Sequence, residues 1–431
     1  MGKIRILHIV EGFTTGGVEK LVLDLLTNHD KNAFDMAALS ILPKSDLIFE
    51  KELENAGVKV FYLSRHYKRA QTIKKLYEIN KIIKEYKPDI IHTHHFAIKD
   101  VMLISKLRRI PVRLHTVHVD GLLEANFTGS RLNGFIGKCL ELFHGKALCN
   151  VESTIQKACS PGAYTSGYKN ICFNMNSKVY GRIDIDDFRR KAYRGFRLFE
   201  IAYNCCGFLP VAISKSVKNS IEEIYGLSGV PVIYNGIVNE KFNNVMKKHD
   251  DSIKIIHVGR FEQGKNQELL IDAFKAVCEV CDNVKLTLVG DGIFRKLIIK
   301  KAAKMNLLKK IEFTGIRSDI QNLLGCSDIF VLSSMAESFG IVVVEAMAAE
   351  LPIVSTDVGG ISEIVQDNIN GILVEPCNPH ALAEAIIRLA KDRALREKFG
   401  KKGKELARQF DIKKTADMYG ELYNKLISYQ K

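Results

Sequence analysis

Two glutamates, Glu337 and Glu345, lie eight residues apart in an apolar segment between residues 328 and 360. Glu337 falls in a short loop after a strand-like run, and Glu345 falls inside the helix predicted over residues 341–349. Ionised carboxylates accept hydrogen bonds from hydroxyl groups and are repelled by phosphates. We therefore expect Glu337 to bind the hydroxyls of a sugar and Glu345 the diol of a ribose. For the spacing taken alone, a helix cap beside one partly exposed glutamate is the simpler interpretation.

The start of this helix predicts an anion site between the two carboxylates. Phe339, Gly340 and Ile341 supply backbone N–H groups at the first turn, where a helix leaves its amides without internal acceptors. Such groups, together with the positive end of the helix dipole, bind phosphates. The helix follows a strand of a predicted parallel sheet, and these sheets bind ligands at the carboxyl ends of their strands. The pattern therefore favours a diphosphate at this position.

Two cations upstream are placed to neutralise that diphosphate. Arg260 and Lys265 lie in the loop after the apolar run at residues 255–258, which is another strand of the same predicted sheet. Cations that contact a departing diphosphate stabilise it as a leaving group. Basic surface residues are common, so Lys265 by itself would indicate little. Lys265 becomes informative because it lies near Arg260, at the edge of the predicted sheet that also carries Glu337 and Glu345.

The elements that must position these residues alternate between short apolar runs and amphipathic helical patterns along most of the chain. This alternation is typical of doubly wound parallel sheets, and 431 residues suit two such α/β domains. We predict a first domain over residues 1–245, a second over 246–410, and a last helix over 411–431 that packs back on the first domain. The alternation stops between residues 121 and 182, which we interpret as an insertion on the acceptor side.

Four motifs of the second domain together resemble glycosyltransferase family 4 of the GT-B fold. They are Arg260 with Lys265, VGDG at residues 289–292, FTG at residues 313–315, and the ESFG…E block from Glu337 to Glu345. The resemblance implies two Rossmann-like domains and retaining transfer of a sugar from a nucleoside diphosphate, without a protein nucleophile. It also implies that Glu337 contacts the donor sugar, Glu345 the ribose, and Arg260 and Lys265 the diphosphate. The backbone at Ile316 is implied to contact the base.

The first domain carries a glycine-rich turn and a histidine that agree with this resemblance. Gly16 and Gly17 precede a helix predicted over residues 18–28, and a turn of this kind lets backbone approach a phosphate or an acceptor. The spacing differs from GxGxxG, so a nicotinamide cofactor is not expected. His118 ends a strand-like run and matches the family histidine beside the donor sugar. We expect His118 and Glu337 to be the catalytic residues.

No metal or other cofactor is expected, and the nucleotide sugar is a co-substrate. His92 and His94 alternate onto one face of a predicted strand, but the sequence offers no third ligand that can be placed beside them. The DxD triplet at residues 184–186 precedes a predicted helix, where acidic residues favour the helix start. Among the ten cysteines, Cys278 and Cys281 have CxxC spacing, but no second pair completes a four-ligand zinc set.

The net charge of +14 is concentrated in the first domain. Up to residue 245 there are 35 Lys+Arg and 24 Asp+Glu, which leaves +11 of the charge there. Seven of these cations lie on or just before a basic helix predicted over Thr72–Tyr86: Arg65, Lys68, Arg69, Lys74, Lys75, Lys81 and Lys84. Ile73, Leu76, Ile79 and Ile83 recur at helical spacing and would dock that helix on the sheet. A solvated helix is the plain alternative to a binding surface.

A basic acceptor domain favours an anionic membrane surface and an acceptor that is a lipid-linked or envelope glycan. The sequence has no nucleic-acid binding module, no signal-peptide pattern and no run of about 18 uncharged apolar residues. We expect a cytoplasmic protein attached peripherally to the inner face of the membrane. Two other functions stay open: a nucleotide-sugar epimerase of similar fold, and a non-catalytic subunit that binds sugar nucleotides.

Overall fold

The computed structural model describes residues 2–14, 16–68, 71–118, 197–243 and 252–430. The predicted insertion at 121–182 and the DxD triplet lie outside these residues. Two parallel sheets of six strands each are present, as the alternating pattern predicts. Each sheet lies in its own compact unit, and the chain passes from the first unit to the second between Gly236 and Ile237, before the expected boundary at residue 245.

The sheet of the first unit has the strand order β3-β2-β1-β4-β5-β6, with parallel pairing throughout. Its strands are β1 Ile4–Val10, β2 Phe34–Ser40, β3 Lys59–Tyr62, β4 Ile90–His94, β5 Val112–Val117 and β6 Leu209–Ala212. Among the described residues before the second unit, its α-helices are α1 Gly17–Asn28, α2 Ile48–Asn55, α3 Thr72–Tyr86, α4 Ile98–Leu107 and α5 Lys215–Tyr225. Strand β4 is buried along its whole length although it contains His92, Thr93 and His94.

Helix α3 has the predicted bounds, and its C-terminus has a local cause. Lys87 adopts a left-handed conformation with a φ of 52°, and Pro88 follows, which cannot donate a helical hydrogen bond. Ile79 and Ile83 are buried against the sheet, as expected. Ile73 was expected to dock as well, but it is 69% exposed. Helical spacing places Ile73 near the apolar stripe, whereas the first turn of α3 projects it to the surface.

The sheet of the second unit has the strand order β12-β11-β10-β7-β8-β9, again parallel. Its strands are β7 Ile253–Val258, β8 Val284–Val289, β9 Ile311–Gly315, β10 Ile329–Leu332, β11 Ile353–Thr356 and β12 Gly371–Val374. Its helices are α6 Gln267–Val280, α7 Arg295–Lys304, α8 Ile320–Gly325, α9 Ile341–Ala348, α10 Pro379–Lys391 and α11 Arg393–Ala407. The central position of β7 and β10 brings the loops that follow them side by side.

The last helix, α12 Ile412–Ser428, is part of the first unit. It packs on α1, and Thr415 Oγ1 donates a 3.0 Å hydrogen bond to the carbonyl of Tyr234. The chain packs so closely at Gly236 that a Cβ there would lie 2.6 Å from Ile412 Cα, so glycine is required at this position. Within the described part of the chain, no helix is both long enough and apolar enough to cross a membrane.

Candidate functional site

The loop that carries Lys265 is held against the end of β10 by two hydrogen bonds. The N–H of Met335 donates to the carbonyl of Gly264 at 2.8 Å, and Ser333 Oγ donates to the carbonyl of Lys265 at 3.0 Å. Asn266 then caps α6 from a left-handed conformation, and its side chain accepts from the N–H of Leu269 at 3.4 Å. These contacts fix the backbone from which the Lys265 side chain extends.

Lys265 Nζ donates to Glu337 Oε2 in a short ion pair. Both side chains are mostly buried, with 20% of Lys265 and 15% of Glu337 exposed, so water screens the pair only in part. Ser334 Oγ lies 3.5 Å from the same carboxylate oxygen. The two charges balance each other in the protein without ligand. A bound diphosphate would compete with Glu337 for Lys265.

The backbone of Glu337 is packed directly under a tight glycine turn. The N–H of Gly360 donates to the Glu337 carbonyl at 2.9 Å. Gly359 has a φ of 55°, and a Cβ at Gly359 would collide with that same carbonyl oxygen. Only glycine gives both this conformation and this approach at no steric cost. The turn after β11 therefore helps to set the position of Glu337.

Helix α9 begins at the predicted residue and ends one residue earlier than predicted. Gly340 is the N-cap, with a φ of 87°, and the helix runs from Ile341 to Ala348 rather than to Ala349. Phe339 is buried, with its ring edge-on to Phe410 at 5.6 Å between centroids. The N-terminal amides of α9 follow Glu337 in the chain at the carboxyl end of β10, which is the arrangement that the anion-site prediction requires. Glu345 is buried on the second turn of this helix.

Arg260 and Ile316 lie in loops at the same edge of the sheet as Lys265. The Arg260 side chain is 76% exposed, and its Nη2 atom lies 3.1 Å from Glu262 Oε1. Ile316 is exposed after Gly315, which has a φ of 72°. The structure therefore brings Lys265 and Glu337 together, whereas Arg260 pairs with its own loop.

Gly290 and Gly292, in the VGDG motif, allow two loops of this edge to touch through their backbones. A Cβ at Gly290 would collide with the carbonyl of Gly259, and one at Gly292 with the carbonyl of Phe261. The N–H of Phe261 donates to the carbonyl of Asp291 at 2.9 Å. The motif is thus a packing device for the loop that begins with Arg260.

In the first unit, Gly16 is the N-cap of α1, and the helix begins at Gly17 instead of residue 18. A Cβ at Gly16 would meet Glu19 Oε2, so the end of that flexible side chain would have to shift to admit it. Glu19 Oε1 accepts a 3.1 Å hydrogen bond from Thr14 Oγ1. The acidic side chain thus covers part of the helix start and offsets its positive dipole.

His118 lies at the end of a row of buried imidazoles in the first unit. His94 Nδ1 and His118 Nε2 are 3.1 Å apart, and His8 Nδ1 and His94 Nε2 are 3.0 Å apart. Burial lowers the pKa of His8 to about 3, with a further contribution from His29. Burial also lowers the pKa values of His94 and His118 well below the ordinary range, and neighbouring histidines add to the effect.

A second hydrogen-bonded row passes through His92 and ties α12 to the sheet. His92 Nδ1 lies 2.7 Å from Tyr423 Oη, and His92 Nε2 lies 2.7 Å from Thr116 Oγ1. Thr116 Oγ1 lies 2.8 Å from Tyr419 Oη. Both nitrogens of His92 are therefore engaged with hydroxyl groups.

The structure supplies the third histidine that the sequence could not place next to His92 and His94. Ligand atoms of His8, His92 and His94 lie within 4.8 Å of one another. The missed signal was His8 in β1, which pairs with β4 in a register that sets His8 opposite His92. Both nitrogens of His92 are hydrogen-bonded to hydroxyl groups, and His8 is hydrogen-bonded to His94. Neutral imidazoles joined by hydrogen bonds therefore explain the closeness of the three rings without a metal ion.

Two family models match the chain. The model described as Glycosyltransferase Family 4 matches residues 15–149, and the model described as Glycosyl transferases group 1 matches residues 238–406. The matches fall in different parts of the chain and include residues of both sheets. Both matched parts of the chain are therefore similar to glycosyltransferases. The family resemblance of the Arg260, Lys265 and Glu337 motifs is thereby confirmed.

Relatives of known sequence match different shares of the chain. An uncharacterized glycosyltransferase of Methanocaldococcus jannaschii is 34% identical over 218 residues, which are 50% of this chain and 59% of that protein. The UDP-Gal:alpha-D-GlcNAc-diphosphoundecaprenol alpha-1,3-galactosyltransferase of Escherichia coli is 24% identical over 443 residues, covering 99% of this chain and 98% of that protein. The chain spans 52% to 59% of the length of three relatives with 32% to 35% identity.

Solved structures of glycosyltransferases show the same fold. Anabaena HepE in complex with UDP and glucose has a TM-score of 0.71 and 19% identity, and the match covers 98% of this chain and 100% of that one. The chain therefore has the GT-B fold predicted from its sequence.

Proposed function

We propose that this protein is a retaining glycosyltransferase that moves a hexose-type sugar from a nucleoside diphosphate to a glycan or lipid-linked acceptor. The second unit binds the donor, and the first unit carries the acceptor and His118. The matches to two glycosyltransferase models support sugar transfer as the class of reaction. The proposed process is the synthesis of cell-envelope polysaccharide or lipopolysaccharide at the cytoplasmic face of the membrane.

The observation that carries the proposal is the contact between Lys265 and Glu337 at the start of α9. Bond cleavage at the anomeric carbon develops negative charge on the diphosphate and positive charge on the sugar ring. Lys265 and the N-terminal amides of α9 offer positive charge to the departing diphosphate. Glu337 offers negative charge to the oxocarbenium-like ring. When the donor binds and the ion pair separates, Lys265 supplies the positive charge and Glu337 the negative charge from adjacent positions.

Retention follows in this proposal because the acceptor attacks the face from which the nucleotide leaves. No covalent glycosyl-protein intermediate is required. Arg260, Gly16 and Gly17 are proposed to contact the diphosphate, Ile316 the base, and Glu345 the ribose. Because Arg260 is exposed and held by Glu262, it needs to change partner to reach a phosphate. No metal cofactor is proposed, so chelators are expected to leave transfer unchanged.

A lipid-linked acceptor is supported by the name of the Escherichia coli relative, which acts on a diphosphoundecaprenol-linked sugar. The surface of α3 supports a membrane location independently. Ile73 and Tyr77 are 69% and 72% exposed one helical turn apart, and exposed Lys74, Lys81 and Lys84 flank them. Exposed apolar side chains among cations suit the interface of an anionic bilayer. We propose that α3 faces the inner leaflet.

A donor panel tests the proposed reaction. Purified protein is incubated with UDP-, GDP- and ADP-hexoses, first alone and then with a polyprenyl diphosphate sugar. Release of nucleotide that requires the acceptor, with an α-linked product from an α-linked donor, is the expected result. Interconversion of the donor sugar without acceptor would establish an epimerase. Donor binding without either reaction would establish a non-catalytic subunit.

A further inference from the structure

The row His8, His94 and His118, here called the imidazole chain, links a central strand of the first sheet to the predicted catalytic histidine. Its two internal contacts are 3.0 Å and 3.1 Å, within the range of N–H···N hydrogen bonds. At its two ends, His8 Nε2 and His118 Nδ1 are buried and have no hydrogen-bond partner among the residues that the structure describes. The imidazole chain is therefore hydrogen-bonded at both internal contacts, and one ring nitrogen at each end has no partner in the described part of the protein.

Only two proton arrangements satisfy both contacts. All three rings have pKa values far below 6.5 because they are buried, so each is neutral and carries one N–H. If His94 carries its proton on Nδ1, it donates to His118 and accepts from His8, and all three rings are Nδ1–H tautomers. If His94 carries its proton on Nε2, both bonds reverse and all three rings are Nε2–H tautomers. The tautomer of His118 is thus coupled to that of His8.

The two open ends decide between these arrangements. A buried N–H without an acceptor is rarer in proteins than a buried acceptor without a donor. His8 is fully buried in the middle of the sheet, so an Nε2–H there would stay unsatisfied. His118 follows β5 at the carboxyl edge, next to the predicted ligand site, so an Nδ1–H there can gain an acceptor when a ligand binds. The arrangement with Nδ1–H on every ring therefore places the unpartnered donor at the carboxyl edge of the sheet, where parallel sheets bind ligands, although the Nδ1 atom itself is buried in this structure.

We infer that the imidazole chain holds His118 as the Nδ1–H tautomer, so that His118 meets its substrate as a hydrogen-bond donor to an oxygen atom and not as a base. His8 and His94 are positioning residues, since they act through His118. The assignment of that oxygen to a sugar hydroxyl rests on the proposed function. The tautomer itself rests only on contacts within the first unit.

Nitrogen NMR of the wild-type protein, labelled with ¹⁵N-histidine, tests the inference directly. Protonated and bare ring nitrogens have well-separated shifts, and selective loss of signals in single-histidine variants assigns them. Nδ1–H signatures for His8, His94 and His118 at pH 7 are expected. An Nε2–H signature at His118, or a doubly protonated ring, would overturn the inference. Stoichiometric metal in the purified protein, with ring shifts that change on chelation, would overturn it as well.

The isosteric pair His8→Asp and His8→Asn supplies a second measurement. An ionised aspartate at this position can only accept from His94, which forces the reversed arrangement and an Nε2–H tautomer at His118. An asparagine places an amide donor near the former Nδ1 atom and can preserve the original direction. We expect His8→Asp to flip the His118 signature and lower kcat about tenfold, the value of one lost hydrogen bond. His8→Asn is expected to keep the signature and to rescue most of the turnover.

His92→Gln is the matched buried control, because His92 belongs to the row with Tyr423 and Thr116. It is expected to leave the His118 signature unchanged. The ring signal of buried His115, on β5, reports whether the first unit of each variant is folded. An unchanged His118 signature in folded His8→Asp would refute the coupling. Nδ1–H signatures in a protein that transfers no sugar would refute the proposed function while supporting the tautomer assignment.

Discussion

Lys265 Nζ contacts Glu337 Oε2 across 72 positions of the sequence, and each side chain is the nearest charged partner that the structure gives the other. The contact joins the loop after β7 to the loop after β10, which are neighbouring strands. Two residues with separate predicted ligands, a phosphate and a sugar, are thus paired with each other before a donor binds.

Glu337→Ala is expected to lower kcat by roughly 10²- to 10³-fold, with little loss of donor affinity, because the substitution removes a charge that acts mainly in the transition state and leaves Lys265 available to phosphate. Glu345→Ala is expected to raise the donor KM chiefly. Steady-state kinetics with one defined donor measure both. Equal effects on kcat and KM in the two variants would contradict the division of roles.

Lys265→Ala is expected to weaken binding of a nucleoside diphosphate by about tenfold or more, through loss of a charge-assisted contact, while binding of the nucleoside changes little. Lys398→Ala on α11 is the charge-matched control, since Lys398 is exposed on the surface of the same unit. Calorimetric titrations compare the two ligands. Losses of the same size for nucleoside and diphosphate would show that Lys265 has another partner.

Gly359→Ala is expected to be destabilising and to impair turnover, because the new Cβ would collide with the Glu337 carbonyl and the residue would keep a φ of 55°. Gly226→Ala is the control: its φ is 63°, but open space surrounds the Cβ position. The control isolates the conformational cost, about 1 to 2 kcal/mol. Thermal unfolding and kinetics distinguish the variants. A Gly359→Ala protein with the stability and kcat of the control would show that the turn does not position Glu337.

Acid is expected to destabilise the first unit through its buried histidines. The folded pKa of His8 is about 3, below its unfolded value near 6.5, so the unfolded state binds protons that the folded state does not. The contribution of His8 is complete above pH 6.5 and is lost as pH falls toward 3, at about 1.4 kcal/mol per pH unit. Urea unfolding at pH 6.5 and 5 should therefore show a smaller loss in His8→Asn than in wild type, by about 2 kcal/mol. Identical losses would place the acid sensitivity elsewhere.

Lys81→Ala combined with Lys84→Ala is expected to weaken binding to vesicles of anionic phospholipid by about thirtyfold at low salt, since each cation contributes about 1 kcal/mol near such a surface. Tyr77→Ser is expected to weaken binding at high salt too, because it removes apolar contact. Lys398→Ala with Lys401→Ala on α11 is the control. Co-sedimentation without preference for anionic vesicles in wild type would remove the membrane proposal and favour a soluble acceptor.

Local pattern was enough for the elements of this protein. The bounds of α3 and of α6 follow from helical periodicity and from residues at their ends, such as Lys87 with Pro88 and the capping Asn266. The parallel sheets follow from the alternation of strands and helices. The start of α9 at Ile341 was predictable as well, because a glycine before an apolar helical run is a local feature. The binding of an anion there stays a prediction.

Contacts between distant strands were decided by the tertiary structure alone. The order of β1, β4 and β5 in the first sheet brings His8 to His94 and His94 to His118, and no spacing within one strand states that order. The same holds for Lys75, expected on the basic surface of α3, which instead pairs with buried Asp100 at 2.7 Å. Periodicity determines which face of an element a residue occupies. Which partner that face meets depends on strand order and helix packing, which are global properties of the folded chain.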